Sequence, residues 1–126
     1  MRRMGSTFYA LGRKKAGEMN KTEQAYSKYL LCKKLAGKIV DYSFESLTLK
    51  LANACRYTPD FVVLTNEGRI QLHEVKGSRR VFADDAKVKV KMAAQKFPYF
   101  EVYVVYPKPK KDGGGWEYEA YIPCEE

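Results

Sequence analysis

The sequence of 126 residues has little of the chemistry on which many small metal proteins depend. His73 is the single histidine, which excludes metal sites built from several histidines. The three cysteines, Cys32, Cys55 and Cys124, form no C-x-x-C pair, which argues against a zinc finger and against a disulfide framework. We therefore interpret the cysteines as free thiols. His73 is interpreted as a structural residue, with a position beside a phosphate as the alternative.

Long apolar segments are also missing. No run approaches the roughly 18 apolar residues that a membrane helix needs, and the basic N-terminus lacks the apolar core of a secretory signal. We therefore expect no membrane partner and a cytoplasmic location.

Positive charge is the strongest bulk property of the chain. Lysine and arginine number 23 against 15 acidic residues, a net charge of +8, which favours nucleic acid as partner and an anionic membrane surface second. The length and the 45% hydrophobic content suit one folded domain. We predict a basic N-terminal arm over residues 1–19 and a single domain over residues 20–126. Arg13, Lys14 and Lys15 in the arm are candidate DNA contacts, and a solubilising tail is the alternative.

The most informative stretch covers residues 57–77. Residues 61–65 are rich in β-branched and aromatic types and residues 69–76 alternate in polarity, which predicts two strands joined by a turn at residues 66–68. The period of two on the second strand places Glu74 and Lys76 on one face and His73 on the other. Asp60 follows Pro59 and should begin the neighbouring strand.

Two carboxylates on adjacent strands beside one lysine form a specific chemical set. Carboxylate oxygens are ligands that Mg²⁺ prefers, and Mg²⁺ usually takes one or two of them together with water and substrate phosphate. Lys76 could orient or deprotonate the attacking water and offset the charge that builds on the phosphate. Ordinary solvated charges on a surface hairpin are the alternative interpretation of Glu74 and Lys76.

The flanking segments predict an alternation of helices and strands. Asn20 and Glu23 form a capping box for a helix that ends near residue 36, with Tyr26 and Leu30 on the face of Glu23. Capping alone would explain Glu23, and membership of the acidic site is the other interpretation. Further segments are predicted as two strands within residues 38–51, a connection over 52–57, a helix from Asp84 to residue 96, a strand over 99–106, a flexible loop over 107–115 and an edge strand over 116–122.

Pro59-Asp60 followed by Glu74-Val75-Lys76 resembles the signature of the PD-(D/E)xK nuclease superfamily, whose members cut DNA with a divalent metal. The order of elements over roughly residues 20–106 is also similar to small phage endonucleases and Holliday-junction resolvases, and Glu23 matches the glutamate that these often carry on an N-terminal helix. The resemblance implies an α/β (α+β) fold with a restriction-endonuclease-like core, in which helices flank a central mixed sheet. A phage protein in a bacterial cytoplasm would fit it.

The resemblance and the residues together predict an Mg²⁺-dependent DNA endonuclease, with Mn²⁺ as a substitute metal and no small-molecule cofactor. The expected catalytic residues are Glu23, Asp60, Glu74 and Lys76, and the expected metal ligands are Asp60, Glu74, the Val75 carbonyl and Glu23. Around them, expected phosphate contacts are Arg79, Arg80, Lys87 and Lys91. A homodimer acting on branched DNA is the version that the resemblance favours.

Two other function classes stay open on the sequence alone. A non-catalytic nucleic-acid-binding module would have the same basic surface with structural carboxylates, and its DNA affinity would respond to Mg²⁺ only as to ionic strength. A small assembly protein whose basic arm binds an acidic partner is the third class, and it would bind no DNA at low salt.

Overall fold

The computed structural model describes residues 17–123, which form a five-stranded mixed sheet with helices on both faces and a separate two-stranded sheet. The helices are α1 (Lys21–Leu35) and α2 (Asp84–Lys96), and short 3₁₀ turns cover Arg79–Val81 and Lys110–Asp112. The strands are β1 (Ile39–Phe44), β2 (Leu49–Ala52), β3 (Cys55–Tyr57), β4 (Phe61–Thr65), β5 (Ile70–Val75), β6 (Glu101–Pro107) and β7 (Trp116–Tyr121).

The five-stranded sheet has the order β1-β4-β5-β6-β7. Strands β5 and β6 are parallel and are connected through α2, whereas the other neighbours are antiparallel. Strands β2 and β3 form the two-stranded sheet on their own. The predicted α/β class, with a mixed sheet flanked by helices, is confirmed.

Each face of the large sheet carries its own core. On one face α1 packs against β4, β5 and β6, and the fully buried side chains of Tyr26 and Phe61 lie at the centre. On the other face α2 and the β2–β3 sheet pack against Leu72 and Val104. Burial of a large apolar side chain contributes about 1.5–3 kcal/mol, so these two layers fix the sheet between them.

The predicted first helix and its capping box are confirmed. The Asn20 side chain accepts a 2.8 Å hydrogen bond from the Glu23 backbone, and the Glu23 carboxylate accepts one of 2.9 Å from the Asn20 backbone. Glu23, Tyr26 and Leu30 are buried along one stripe of the helix. Gly37 follows with a φ of 76°, a left-handed conformation that glycine adopts without strain.

The second predicted helix is also confirmed, although residues 87–91 alternate in polarity like a strand. Asp84 and Asp85 lie in the first turn of α2, where carboxylates oppose the partial positive charge of the helix end. Val90, Ala93 and Ala94 face the core. The helical period therefore explains the burial better than a period of two.

The central hairpin follows its sequence signals, and one connection does not. Strands β4 and β5 flank a turn in which Gly68 has a φ of 83°, and β7 lies at an edge of the sheet as predicted. The expectation of a plain connection over residues 52–57 is wrong, because Cys55–Tyr57 pairs with β2 as a strand. The loop over residues 107–115 contains the 3₁₀ turn Lys110–Asp112.

Several other predictions concern single residues or the ends of the chain. Cys32 and Cys55 are free thiols, whereas Cys124 lies outside the described residues, as does most of the predicted basic arm. His73 is buried on the α1 side of the sheet, where its Nδ1 lies 2.7 Å from the Tyr26 hydroxyl, which supports its structural interpretation. Within residues 17–123 no helix is long and apolar enough to cross a membrane.

Candidate active site

Asp60 and Glu74 are neighbours across the β4–β5 hairpin. The antiparallel register pairs Phe61 with His73, so one step further along both strands Asp60 lies opposite Glu74. Opposed residues of an antiparallel pair share a face of the sheet and have Cβ atoms about 5 Å apart. The hairpin thus brings together the two carboxylates that the sequence singles out.

The Asp60 carboxylate is buried and held by the backbone of the next strand. Its exposed fraction is 9%, and its Oδ2 accepts a 2.8 Å hydrogen bond from the backbone N–H of Val75. Burial, followed by the charge of Glu74, raises the pKa of Asp60 to about 8, against the opposing effect of the Val75 hydrogen bond. This is a carboxyl group that a nearby cation would ionise.

Glu74 has two partners, one on each oxygen. The Tyr57 hydroxyl donates a 2.7 Å hydrogen bond to Oε1, and Lys76 Nζ lies 3.3 Å from Oε2. Burial raises the pKa of Glu74, while the Tyr57 hydrogen bond and the charge of Lys76 act in the opposite direction. The Lys76 side chain is 26% exposed and that of Glu74 only 10%, so Lys76 is the more accessible of the two.

Glu23 serves as a helix cap and also lies near the acidic pair. Its exposed fraction is 3%, and its charge contributes to raising the pKa of both Asp60 and Glu74. The chain just beyond β5 runs past the first turn of α1, since a Cβ on Gly77 would lie 3.6 Å from Thr22 Oγ1. Capping and proximity to the site are therefore both properties of Glu23, and a catalytic role stays a prediction.

The atoms that could bind a metal ion at this site are oxygens, which hard cations prefer. Asp60, Glu74 and the Val75 carbonyl are the kind of ligands that Mg²⁺ takes, and two carboxylates suffice when water and phosphate complete the shell. In the described part of the chain no group of three or more histidine, cysteine, aspartate or glutamate side chains is arranged to hold a metal ion. The pair Asp60 and Glu74 thus supplies two carboxylates to such a site, with Lys76 beside them.

Three of the predicted phosphate contacts come together beside α2. Arg79, Lys87 and Lys91 line one cavity of about 400 Å³ between α2 and β7. Arg80 is exposed on the 3₁₀ turn and is not among the residues that line it. Arg13, Lys14 and Lys15 lie outside the described residues, so their predicted role has no structural counterpart here.

Sequence reasoning missed Tyr57, whose hydroxyl is the buried partner of Glu74. Burial and then the charge of Glu74 raise the pKa of Tyr57 well above its usual range, so the hydroxyl remains a donor. The sequence carries only a weak signal for this strand, because two-residue hairpin turns favour Asn-Gly and the turn here is Asn53-Ala54.

Comparison with known proteins adds no family assignment. No family model, no curated protein and no solved structure matches the chain.

Proposed function

We propose that the chain is a metal-dependent endodeoxyribonuclease with a restriction-endonuclease-like core, as the resemblance to the PD-(D/E)xK superfamily implies. One observation carries the proposal. Asp60 and Glu74 lie opposite one another at the end of a hairpin, both buried, with the Lys76 ammonium 3.3 Å from Glu74 Oε2. Burying two carboxylates side by side costs free energy, and a divalent cation would offset that cost.

Mg²⁺, with Mn²⁺ as substitute, is the cofactor that these residues fit. Asp60 and Glu74 would hold it, with the Val75 carbonyl and Glu23 as further ligands, directly or through water. When bound, Mg²⁺ supplies charge stabilisation at the phosphate and favours ionisation of water. Because the pKa of Asp60 is raised to about 8, metal binding near neutral pH should release a proton from the acidic pair.

Lys76 has two tasks in this proposal. Lys76 is more exposed than Glu74, and its ammonium would orient the water that attacks phosphorus in line with the leaving oxygen. The same positive charge would stabilise the negative charge that develops on the phosphate oxygens. Tyr57 would hold the Glu74 carboxylate in place through its 2.7 Å hydrogen bond, as a positioning residue.

The basic residues around the site favour a backbone contact with DNA. Lysine and arginine side chains bind phosphates without reading sequence, so we propose selection by DNA shape, with branched DNA as the favoured class. Two cuts across a symmetric junction would require two copies of the site, which is the reason for proposing a homodimer.

A second candidate function, a non-catalytic nucleic-acid-binding module, has an observation in its favour. Each carboxylate of the pair already has a protein partner, since Asp60 accepts from Val75 and Glu74 accepts from Tyr57. In this function the carboxylates would be structural and these hydrogen bonds would be their role. The basic cavity beside α2 would then be the functional part of the surface.

A cleavage assay separates the two functions. Purified protein is incubated with labelled four-way-junction, duplex and single-stranded DNA in Mg²⁺, Mn²⁺ or EDTA, beside a Glu74→Gln variant. Glutamine keeps the volume of the side chain and an oxygen that can accept from Tyr57, so the fold is preserved while the charge is lost. Metal-dependent cutting by the parent and none by the variant establishes the nuclease. Binding without cutting in every metal establishes the binding module.

A further inference from the structure

A groove runs along the seam between α2 and β7, on the side of the sheet that carries Glu74. It consists of the 400 Å³ cavity described above and a second cavity of about 250 Å³. Lys91, Ala120 and Tyr121 line both cavities, so the two are adjacent. We call this feature the α2–β7 groove.

Cationic side chains line one wall of the groove. Lys87 and Lys91 are four residues apart on α2 and therefore lie on the same side of the helix. Arg79 lies at one end, with its guanidinium 4.6 Å from the centre of the Tyr106 ring. Three cations facing one cavity, with only Glu119 as an acidic lining residue, favour an anionic occupant.

Two acidic side chains lie beside Arg79. Its Nη1 lies 3.5 Å from Glu119 Oε2 and its Nη2 lies 3.6 Å from Glu117 Oε1. These exposed ion pairs contribute little to stability, and the same guanidinium lies over the Tyr106 ring. A planar guanidinium in this position can still donate its remaining N–H groups to a phosphate.

An aromatic side chain lies where the two cavities meet. Tyr121 is partly exposed. Its ring makes an edge-to-face contact with the ring of Phe82, with 6.3 Å between the ring centroids. Nucleic-acid bases stack on such rings without regard to their identity. The groove therefore offers both phosphate donors and a stacking surface.

The register of the sheet gives the distance from the groove to the acidic pair. Glu74 pairs with Val104 on β6, and Val104 pairs with Glu119 on β7, so the three form one row across the sheet. Two strand spacings amount to about 10 Å. A DNA strand passing the carboxylates would therefore reach the groove within a few nucleotides.

We propose that the α2–β7 groove binds an unpaired stretch of the DNA strand, with its phosphates on Arg79, Lys87 and Lys91 and one base stacked on Tyr121. The inference rests on the proposed function for its choice of DNA. Bases in a duplex are paired and stacked on each other, so only an unpaired base can reach a ring inside a groove. The substrate class is thus DNA that has single-stranded nucleotides next to a duplex.

The test measures binding in EDTA, where no metal-dependent cutting takes place. The probe is a flapped duplex with 2-aminopurine in its unpaired flap, compared with a fully paired duplex of the same sequence and with the single strand alone. Affinity and 2-aminopurine fluorescence are recorded over a range of salt concentrations. Deoxyadenosine monophosphate is added as a competitor, to separate a strand site from a mononucleotide site.

The chain offers a matched control on the same helix. Lys89 is exposed, lines neither cavity and lies about 200° around the helix axis from Lys87. Lys87→Ala and Lys91→Ala should each reduce the slope of log affinity against log salt by about 0.7, whereas Lys89→Ala should leave it unchanged. Tyr121→Leu should weaken flap binding by about tenfold and abolish the quenching of 2-aminopurine.

The outcomes separate this inference from the proposed function. Three results would each overturn the groove assignment. The first is equal affinity for flapped and paired duplex, and the second is an equal effect of Lys89→Ala and Lys91→Ala. The third is a mononucleotide that competes as strongly as the single strand binds. Metal-dependent cutting that Glu74→Gln abolishes would still stand in those cases. Conversely, groove variants that lose flap binding support the groove even if the parent cuts no DNA in any metal.

Discussion

The Tyr57 hydroxyl donates a 2.7 Å hydrogen bond to Oε1 of Glu74, and this bond joins the small β2–β3 sheet to the acidic pair on the large sheet. It leaves Oε2 to Lys76, at 3.3 Å. Glu74 is therefore oriented from one side by a neutral donor and from the other by a cation. Loss of either partner should affect the carboxylate in a distinct way.

Tyr57→Phe tests the neutral donor. Because the Tyr57 hydrogen bond opposes the rise in the pKa of Glu74, its loss should raise that pKa and shift the pH profile of metal-dependent cutting to higher pH. The free energy of unfolding should fall by about 1–3 kcal/mol, because a buried carboxyl oxygen loses its hydrogen-bond donor. Tyr99→Phe is the control, because Tyr99 is 71% exposed. Identical pH profiles of Tyr57→Phe and the parent would contradict a positioning role for Tyr57.

Lys76→Met tests the cation, because methionine preserves most of the length of the side chain and removes its charge. Single-turnover cutting should fall by about 100-fold or more, whereas binding of flapped DNA in EDTA should lose no more than one phosphate contact, since the α2–β7 groove is untouched. Lys50→Met, an exposed change on β2, is the control for net charge. Cutting by Lys76→Met at the rate of the parent would remove Lys76 from the mechanism.

Local sequence signals predicted most of the fold because they act through neighbours in the chain. Asn20 and Glu23 set the start of α1 through their reciprocal hydrogen bonds. Gly68 set the turn of the central hairpin, and the short turn then fixed the register that places Asp60 opposite Glu74. The acidic pair could therefore be predicted from sequence.

The partners of the acidic pair could not be predicted in the same way. Tyr57 reaches Glu74 because the β2–β3 sheet packs on the large sheet through Leu49 and Leu51, a contact between segments that are distant in sequence. Strand β3 has only three residues, too few for a clear alternation of polarity. The ion pairs of Arg79 with Glu117 and Glu119 likewise depend on where β7 joins the sheet.

Asp60→Asn tests the pH dependence of stability. The pKa of Asp60 is raised from 3.8 to about 8. Between these two pH values the folded state therefore holds a proton that the unfolded state has lost. Stability from this group is therefore lost as the pH rises from about 4 to about 8, whereas asparagine stays neutral throughout. In EDTA, urea unfolding should show that the unfolding free energy of the variant rises by a few kcal/mol relative to that of the parent over that range.

Mg²⁺ provides the second half of the Asp60 test. It should stabilise the parent more at about pH 8 than at about pH 6, because it competes with the proton of the acidic pair, and it should have little effect on Asp60→Asn. A difference in unfolding free energy between parent and variant that stays constant with pH would show that Asp60 is ionised in the folded protein. A parent and a variant that respond equally to Mg²⁺ would argue against a metal at this carboxylate.

His73→Asn tests a second pH-dependent contribution to stability. This contribution increases with pH, whereas that of Asp60 decreases. Burial, and then the charge of Lys33, lowers the pKa of His73 to about 3, so below about pH 6.5 the unfolded state binds a proton that the folded state does not. Stability from His73 is therefore full above about pH 6.5 and is lost on acidification, and His73→Asn should lose less stability there than the parent.

The position of His73 gives the same variant a second readout. His73 lies on the α1 side of the sheet, bonded to Tyr26, whereas Glu74 lies on the other side with Tyr57. At about pH 8 His73 is neutral in both the folded and the unfolded state. His73→Asn should thus cut DNA at the rate of the parent, when the rate is divided by the folded fraction that thermal unfolding gives. Equal acid sensitivity of the parent and His73→Asn would show that His73 is charged in the fold. Loss of cutting in a fully folded variant would place His73 in the site.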